Sequence, residues 1–335
     1  MMMPGSYKRV DWVDFAKGLG IVLVVIGHSG IPKTLSAWIW SFHMPLFFFI
    51  SGLFFNNSKY PTLASFAKKR IQTLLKPYVI FSLIVFLWAY LMNSKFLHFQ
   101  FSELYLGWNG LALWFIPTLF ATEILFYLIR KKIDSQFLTA LILLLSSTLG
   151  YLCYLYEFHL PFKLEVVFTA ILFYGLGFLF GKDINIVVGQ LKSTFLLLLI
   201  AVISVAHFVI ATLSPQLDMA SNTLGYPVPT FIAAALGIAL ILSISIGMFK
   251  SAENAHSFIQ KTISFLGKNT FVILAFHQIV GVTLKTVLNA TNIPTLAQFG
   301  IRQCSLWIIL VALIYMINYH TPWVLGKAGE KKSAE

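Results

Sequence analysis

The feature that most limits the fold of this chain is a series of ten apolar runs, each about 20 residues long and so able to cross a bilayer as a helix. Of the 335 residues, 58% are hydrophobic and only 11% are charged, whereas a soluble domain is about half apolar and a quarter charged. The pattern predicts an all-α, polytopic membrane helix bundle with about ten transmembrane helices. The runs cover residues 15–31, 38–55, 72–92, 111–130, 136–156, 163–181, 193–213, 228–249, 269–290 and 300–322.

The segments between the runs are too short to form a separate soluble domain. We therefore predict a single integral membrane domain over residues 1–335, with a core of 9–322 and short tails of 1–8 and 323–335. The first run carries ionisable residues and lacks a small-residue cleavage site, so we expect a retained span and not a signal peptide.

The basic residues are distributed unevenly between the two sides of the predicted bundle. If the N-terminus is cytoplasmic, 19 of the 24 Lys and Arg residues fall on the inner side. This positive-inside bias predicts that both termini are cytoplasmic. The net charge of +12 is then explained by basic loops that lie beside the anionic headgroups of the membrane. We therefore expect membrane lipids, and no nucleic acid, as partners. The predicted outer side holds only Lys33, Lys95, Lys163, Lys285 and Arg302.

The first run, "DFAKGLGIVLVVIGH", carries three ionisable residues, Asp14, Lys17 and His28. Lys17 and His28 are eleven residues apart, which is three helical turns plus about 20°. Both therefore share a helix face with Asp14, Ile21 and Val24, and the helix rises about 16 Å between them. Ionisable groups within spans are expensive and mark functional sites. In the structural alternative, Lys17 extends to the headgroups and His28 caps the outer helix end.

His43, in "SFHMPLFFFISGLFF", opens the second run just before Pro45. Because the chain reverses between the first two runs, we expect His28 and His43 at similar depth in the outer half. They could form a catalytic pair or two metal ligands. A third ligand of suitable type is missing nearby in the sequence, so we predict no metal site. Cys153 and Cys304 fall near outer helix ends, where two free thiols are favoured over a disulfide.

The stretch "KKRIQTLLKPY" places Lys68, Lys69, Arg70 and Lys76 at the inner start of the third run. Ordinary positive-inside charge is enough to explain such a cluster. In the functional interpretation, the cluster binds an anionic group such as a nucleotide phosphate.

Two more ionisable residues lie deep within predicted spans, Glu123 in the fourth and His277 in the ninth. Each needs a polar partner from another helix or a wet cavity. They therefore either line a functional cavity, the interpretation that we favour, or make structural hydrogen bonds between helices.

Five segments, in order along the chain, resemble the acyltransferase-3 family, integral membrane acyltransferases that O-acetylate bacterial surface carbohydrates and related molecules. They are "RVDWVDFAKGLGIVLVVIGH", "FHMPLFFFISG", the basic entry to the third run with Pro77 and Tyr78, "LWFIPTLF" and "LGKNTFVILAFH". The first is most similar to the fucose 4-O-acetylase-like branch. The chain departs from the family pattern at Thr73, where a second basic residue often stands three positions after the first, here Arg70.

The resemblance implies a cytoplasmic acyl-CoA donor, an acceptor presented from the outer side, and a place in the bacterial cytoplasmic (inner) membrane. It also implies that His28 is essential and that Lys17 assists it. The predicted site residues are His28, Asp14 and Lys17 as catalytic residues; Lys17, Lys69, Arg70 and Lys76 for the donor; and His43, Glu123, His277 and Trp114 for the acceptor.

The predicted reaction moves an acetyl group from acetyl-CoA to a sugar hydroxyl of a bacterial surface polysaccharide or its lipid-linked precursor. Histidine suits the removal of the hydroxyl proton, and the 16 Å rise along the first helix is comparable to an extended pantetheine arm. Direct transfer and a covalent acyl-histidine intermediate both fit. A proton-coupled transporter or flippase of a polysaccharide export system is the alternative, although the sequence shows no inverted repeat. A non-catalytic membrane partner in polysaccharide assembly is a third hypothesis.

Overall fold

The computed structural model describes residues 11–92, 112–214, 217–250, 257–291 and 293–326. Over these residues the chain forms thirteen α-helices and no β-strand, which confirms the all-α class. The helices are α1 (Asp11–Gly27), α2 (Lys33–Trp40), α3 (His43–Leu53), α4 (Leu63–Arg70), α5 (Lys76–Leu91), α6 (Phe115–Lys132), α7 (Gln136–Leu155), α8 (Glu165–Gln190), α9 (Ser193–Ala211), α10 (Pro227–Met248), α11 (Phe258–Lys268), α12 (Thr270–Asn289) and α13 (Thr295–His320).

Nine helical segments in the described ranges are long and apolar enough to cross a membrane, so the protein is a multi-pass membrane protein. They correspond to nine of the ten runs predicted from the sequence. The remaining run is α1, whose 17 residues rise about 26 Å. Inner and outer below denote the ends of the bundle as the basic residues predict them. The nine segments are Lys33–Leu53, Leu63–Leu91, Ala112–Lys132, Gln136–Leu155, Pro161–Gly181, Ser193–Ala211, Pro227–Met248, Thr270–Asn289 and Thr295–His320.

The third predicted run is an interrupted helix. A π-helical turn, Ile71–Leu75, joins α4 to α5 just before Pro77. Because proline has no N–H to give to the carbonyl four residues earlier, the α-helical hydrogen-bond ladder fails at this point. The Thr73 hydroxyl donates to the Lys69 carbonyl oxygen at 3.0 Å within the same turn. Such π turns are frequent at functional sites, and this one lies within the predicted basic cluster, between Arg70 and Lys76.

Small residues hold α1 tightly against α11. A Cβ atom added at Gly18 would overlap the carbonyl oxygen of Ile263, and one added at Gly267 would overlap that of Asp14. Small residues at membrane helix interfaces allow the backbones to approach closely and to gain packing energy. The position of α1 is therefore fixed on its α11 side.

The two cysteines are free thiols in the structure. Cys153, on α7, is buried, and Cys304, on α13, is exposed. The structure agrees with the interpretation that the sequence favours, and no disulfide joins α7 to α13.

Candidate active site

The predicted polar face of α1 lines two cavities in succession. Lys17 and Ile21 line an inner cavity of about 140 Å³. Val24 and His28 line a central cavity of about 170 Å³, nearer the outer end. Met44, at the start of α3, lines both cavities and so separates them. The same face of α1 therefore carries Lys17 in the inner cavity and His28 in the central cavity.

The central cavity collects polar groups from six separate parts of the chain. His28 is exposed to solvent, and the indole ring of Trp40 packs edge-on against it, with ring centroids 5.2 Å apart. The same indole contacts the His43 ring at 5.5 Å. Its Nε1–H group is buried without a hydrogen-bond partner among the described residues. The other polar residues of this wall include Trp114, Lys163, Asp218, Ser221 and Gln278.

A short loop held by Lys163 forms part of the wall of the central cavity. The Lys163 ammonium group donates to the Ala220 carbonyl oxygen at 2.5 Å. The carboxylate of Asp218 accepts hydrogen bonds from the Ala220 N–H at 2.9 Å and from the Ser221 hydroxyl at 2.8 Å. These bonds order the loop so that a cation and a carboxylate both face the cavity.

The backbone fixes the proton position on two of the histidines. The Nδ1 atom of His43 lies 3.0 Å from the Ile39 carbonyl oxygen. The Nδ1 atom of His277 lies 3.0 Å from the carbonyl oxygens of Ile273 and Leu274. Because a carbonyl oxygen only accepts, both Nδ1 atoms carry the proton and both Nε2 atoms keep a lone pair. The His277 Nε2 is buried without a hydrogen-bond partner among the described residues.

His28 has the opposite arrangement, which Gln278 sets. The Gln278 carbonyl oxygen accepts from the Ala112 N–H at 2.7 Å. Its amide nitrogen therefore faces His28 and donates to the ring Nδ1 at 3.3 Å. The neutral His28 ring thus carries its proton on Nε2, and Nδ1 is its basic nitrogen. The sequence analysis did not identify Gln278 as a site residue.

His28 and Gln278 also line a third cavity, with a volume of about 260 Å³. We call it the basic cavity because Lys285 and Arg302 line it, together with His277 and Gln303 among others. The ring centroids of His28 and His277 lie 5.3 Å apart. The His28 side chain therefore stands between the central and the basic cavities.

The residues predicted to bind the donor are less concentrated than the sequence suggests. Lys17 lines the inner cavity, with its ammonium group 5.8 Å from the centroid of the Phe54 ring. Lys69 is exposed, and the Lys76 ammonium group lies 5.0 Å from the centroid of the Trp323 ring. Neither of these two lysines lines the inner cavity, although Leu74, from the turn between them, does.

Arg70 and Glu123, predicted to serve the donor and the acceptor respectively, are partners of each other. The Arg70 Nε lies 2.8 Å from a carboxylate oxygen of Glu123, whose side chain is only 3% exposed. Neither residue lines any of the three cavities described above. The structure therefore provides the interhelical polar partner that Glu123 requires, and it does not bring Glu123 to His28.

Asp14 is buried on the face of α1 that packs against α11. Its backbone carbonyl oxygen contacts Gly267, and the residue lines none of the three cavities. Of the residues predicted for the acceptor, His43 and Trp114 line the central cavity and His277 lines the basic cavity.

Sequence reasoning missed Gln278, Asp218 and the site positions of three outer cations. The sequence did contain a signal for the cations. Basic residues are scarce on the outer side, and three exceptions to this rule are Lys163, Lys285 and Arg302. Gln278 directly follows His277 in the ninth run, and that position was its only signal. The position of Asp218 gives no such signal, because it lies in a loop.

The fold and the cavities define a multi-pass membrane protein in which the imidazole of His28 borders both the central and the basic cavity. No group of three or more His, Cys, Asp or Glu side chains in the described part of the chain is arranged to hold a metal ion. Residues 10–324 match the model of the acyltransferase-3 family, an acyltransferase domain. The chain therefore belongs to this family of membrane acyltransferases. No curated protein and no solved structure matches it.

Proposed function

We propose that the protein is a membrane O-acetyltransferase that moves an acetyl group from cytoplasmic acetyl-CoA to a sugar hydroxyl of a bacterial surface polysaccharide or its lipid-linked precursor. We place it in the bacterial inner membrane and in the fucose 4-O-acetylase-like branch of its family. The main supporting observation is that one face of α1 lines the inner cavity with Lys17 and the central cavity with His28.

The donor is proposed to enter from the inner side with its phosphates near Lys17, Lys69 and Lys76. Arg70 would add only the guanidinium nitrogens that Glu123 leaves unpaired, because the carboxylate already neutralises part of its charge. The pantetheine arm would follow α1 past Met44, whose side chain must move because it separates the two cavities. Asp14 is proposed to act on Lys17 from the neighbouring turn.

In the proposed reaction, the sugar hydroxyl takes the place of the Gln278 amide at Nδ1 of His28 and gives its proton to this nitrogen, while its oxygen bonds to the thioester carbonyl carbon. The carbon–sulfur bond then breaks, CoA leaves as a thiolate, and the imidazolium returns the proton to the sulfur. In the two-step alternative, Nδ1 first takes the acetyl group and then passes it to the hydroxyl. The unpartnered Trp40 Nε1–H is the proposed donor to the negative charge that develops on the carbonyl oxygen.

The test uses cells in which the gene is deleted and replaced by each variant. Membranes receive radiolabelled acetyl-CoA, and the label that enters the surface glycan is counted. His28→Ala should lose transfer by a factor on the order of a hundred or more, because a positioned base contributes that much. His320→Ala, at the other end of the bundle, is the control and should behave as wild type. Transfer by His28→Ala at the wild-type rate would exclude the proposed role.

A second variant tests the direction of donor entry. Lys17→Ala should raise the acetyl-CoA concentration needed for half-maximal transfer by roughly tenfold, because one charge-assisted contact to a phosphate is lost. Lys192→Ala, an exposed inner lysine outside the cavities, is the control. An effect of Lys17→Ala on the acceptor alone would contradict the proposal. The family membership supports an enzyme over the transporter hypothesis.

A further inference from the structure

Two of the few outer cations line the same cavity. Lys285 projects from α12 and Arg302 from α13, and both border the basic cavity beside His28. No acidic residue is part of the described lining of this cavity. The Arg302 guanidinium group donates to the Ser29 carbonyl oxygen at 2.6 Å. This partner is neutral, so the bond does not offset the charge of Arg302. Because the positive-inside rule disfavours cations on this side, the unneutralised pair marks a place that attracts an anion.

Two residues of the same lining, His277 and Gln303, carry hydrogen-bonding groups of opposite kinds that are buried next to the cavity. The Gln303 amide nitrogen is a buried donor without a partner among the described residues, and the His277 Nε2 is a buried lone pair that also has none. A buried polar group without a partner is costly. A sugar in the cavity would satisfy both groups once these side chains turn toward it, because its hydroxyl donates to the imidazole and its oxygen atoms accept from the amide.

A glycine forms part of the cavity wall. Gly281 lies within α12, where glycine costs about 1 kcal/mol relative to alanine, and it borders the basic cavity. A Cβ atom added at Gly281 would meet no atom within 4 Å. Packing against a neighbouring helix therefore does not explain glycine here, and the position has room for a side chain that would reduce the cavity.

We propose that the basic cavity binds an oxyanion on the acceptor sugar, a carboxylate or a phosphate ester, and so selects acidic glycans as acceptors. The oxyanion bridges Lys285 and Arg302, while a neighbouring sugar hydroxyl lies beside the His28 and His277 rings. This inference rests on the proposed function for the identification of the ligand as the acceptor.

The experiment measures binding to the purified protein in detergent, without acetyl-CoA, by calorimetric titration. The probes are glucuronate, inorganic phosphate and, as the uncharged reference, glucose. Glucuronate should bind at least about tenfold more tightly than glucose, because it adds a charge-assisted contact. Phosphate should compete with it. Equal affinity for glucuronate and glucose would overturn the proposal.

Matched variants locate the binding. Arg302→Gln and Lys285→Gln should each weaken glucuronate binding by roughly tenfold, whereas Lys33→Gln, an outer cation that does not line the cavity, should leave it unchanged. Gly281→Leu fills the cavity without altering a charge and should abolish binding. Gly300→Leu, at a position that is equally open, is its control. Unchanged binding in both Arg302→Gln and Gly281→Leu would refute the site.

Nanodiscs distinguish an acceptor from a lipid headgroup. Glucuronate affinity should be the same in phosphatidylcholine discs with and without phosphatidylglycerol. Competition by phosphatidylglycerol would assign the cavity to lipid and overturn the proposal.

The proposed function and the proposed anion site can fail independently of each other. If His28→Ala abolishes transfer while glucuronate does not bind, the enzyme stands and this inference is wrong. If glucuronate binds as expected while His28→Ala transfers normally, the anion site is real and the reaction needs another base.

Discussion

Replacing Gln278 tests which nitrogen of His28 is basic. In the structure, the Gln278 amide donates to Nδ1 at 3.3 Å while its oxygen accepts from the Ala112 N–H at 2.7 Å. Gln278→Glu keeps the shape and the bond to Ala112 but presents an oxygen to Nδ1. Because a carboxylic acid is a stronger acid than an imidazolium, the shared proton then lies on Nδ1. Gln278→Leu removes both hydrogen bonds and leaves Nδ1 free.

The two variants are expected to differ in a way that side-chain size does not predict. Gln278→Leu removes the long, neutral hydrogen bond that keeps the proton of the catalytic ring on Nε2, worth on the order of 1 kcal/mol, which corresponds to about a fivefold loss of transfer. Gln278→Glu blocks the basic nitrogen itself and should cost on the order of a hundredfold. The isosteric change is therefore predicted to be the more damaging one. Gln278 is a positioning residue, because it acts through His28.

The assay is again transfer of radiolabel from acetyl-CoA into the surface glycan, normalised to the amount of folded protein in the membrane. Thermal unfolding of the purified variants separates catalysis from stability, since Gln278→Leu also leaves the Ala112 N–H unpaired at a cost of about 1–3 kcal/mol. A Gln278→Glu variant as active as wild type, or more active than Gln278→Leu, would show that Nδ1 is not the base.

Three further changes test other parts of the structure. Met44→Trp should reduce transfer by on the order of a hundredfold, because the larger ring obstructs the passage between the inner and central cavities. Met44→Leu is the control and should remain active. Unimpaired transfer by Met44→Trp would rule out this route. Glu123→Ala leaves Arg70 without its carboxylate partner and should destabilise the protein by roughly 2–3 kcal/mol. This loss is somewhat smaller than the loss expected when a fully buried ion pair is broken, because the Arg70 side chain is 25% exposed. An unchanged unfolding temperature would contradict this prediction. Gly267→Val should destabilise the protein by about 3 kcal/mol or more through overlap with the Asp14 backbone, and wild-type stability would mean that α1 and α11 can separate at little cost.

Helix periodicity made much of this site predictable. The eleven-residue spacing of Lys17 and His28 puts both on one face whatever surrounds the helix, and the structure lines two cavities with that face. The apolar runs likewise predict the helices, since backbone hydrogen bonds must be satisfied within each span in a membrane. The run that forms α1 has only 17 helical residues, because the chain turns after Gly27.

The contacts between distant helices were not predictable from one sequence. Nothing in the separate runs shows that Arg70 and Glu123 meet, because their pairing depends on how α4 and α6 pack. The same holds for Gln278, whose role comes from an N–H group of Ala112 far away in the chain. The basic cavity requires α1, α12 and α13 together, so a sequence shows its cations only as exceptions to the charge rule.

The most direct measurement of the central claim is a structure with a non-hydrolysable thioether analogue of acetyl-CoA. We expect the nucleotide phosphates at the inner end near Lys17 and the acyl carbonyl carbon in the central cavity, roughly 5 Å from the ring of His28, which leaves room for the sugar hydroxyl between them. An acyl group held on the inner side of an unmoved Met44, or one lodged in the outer half away from His28, would contradict the mechanism.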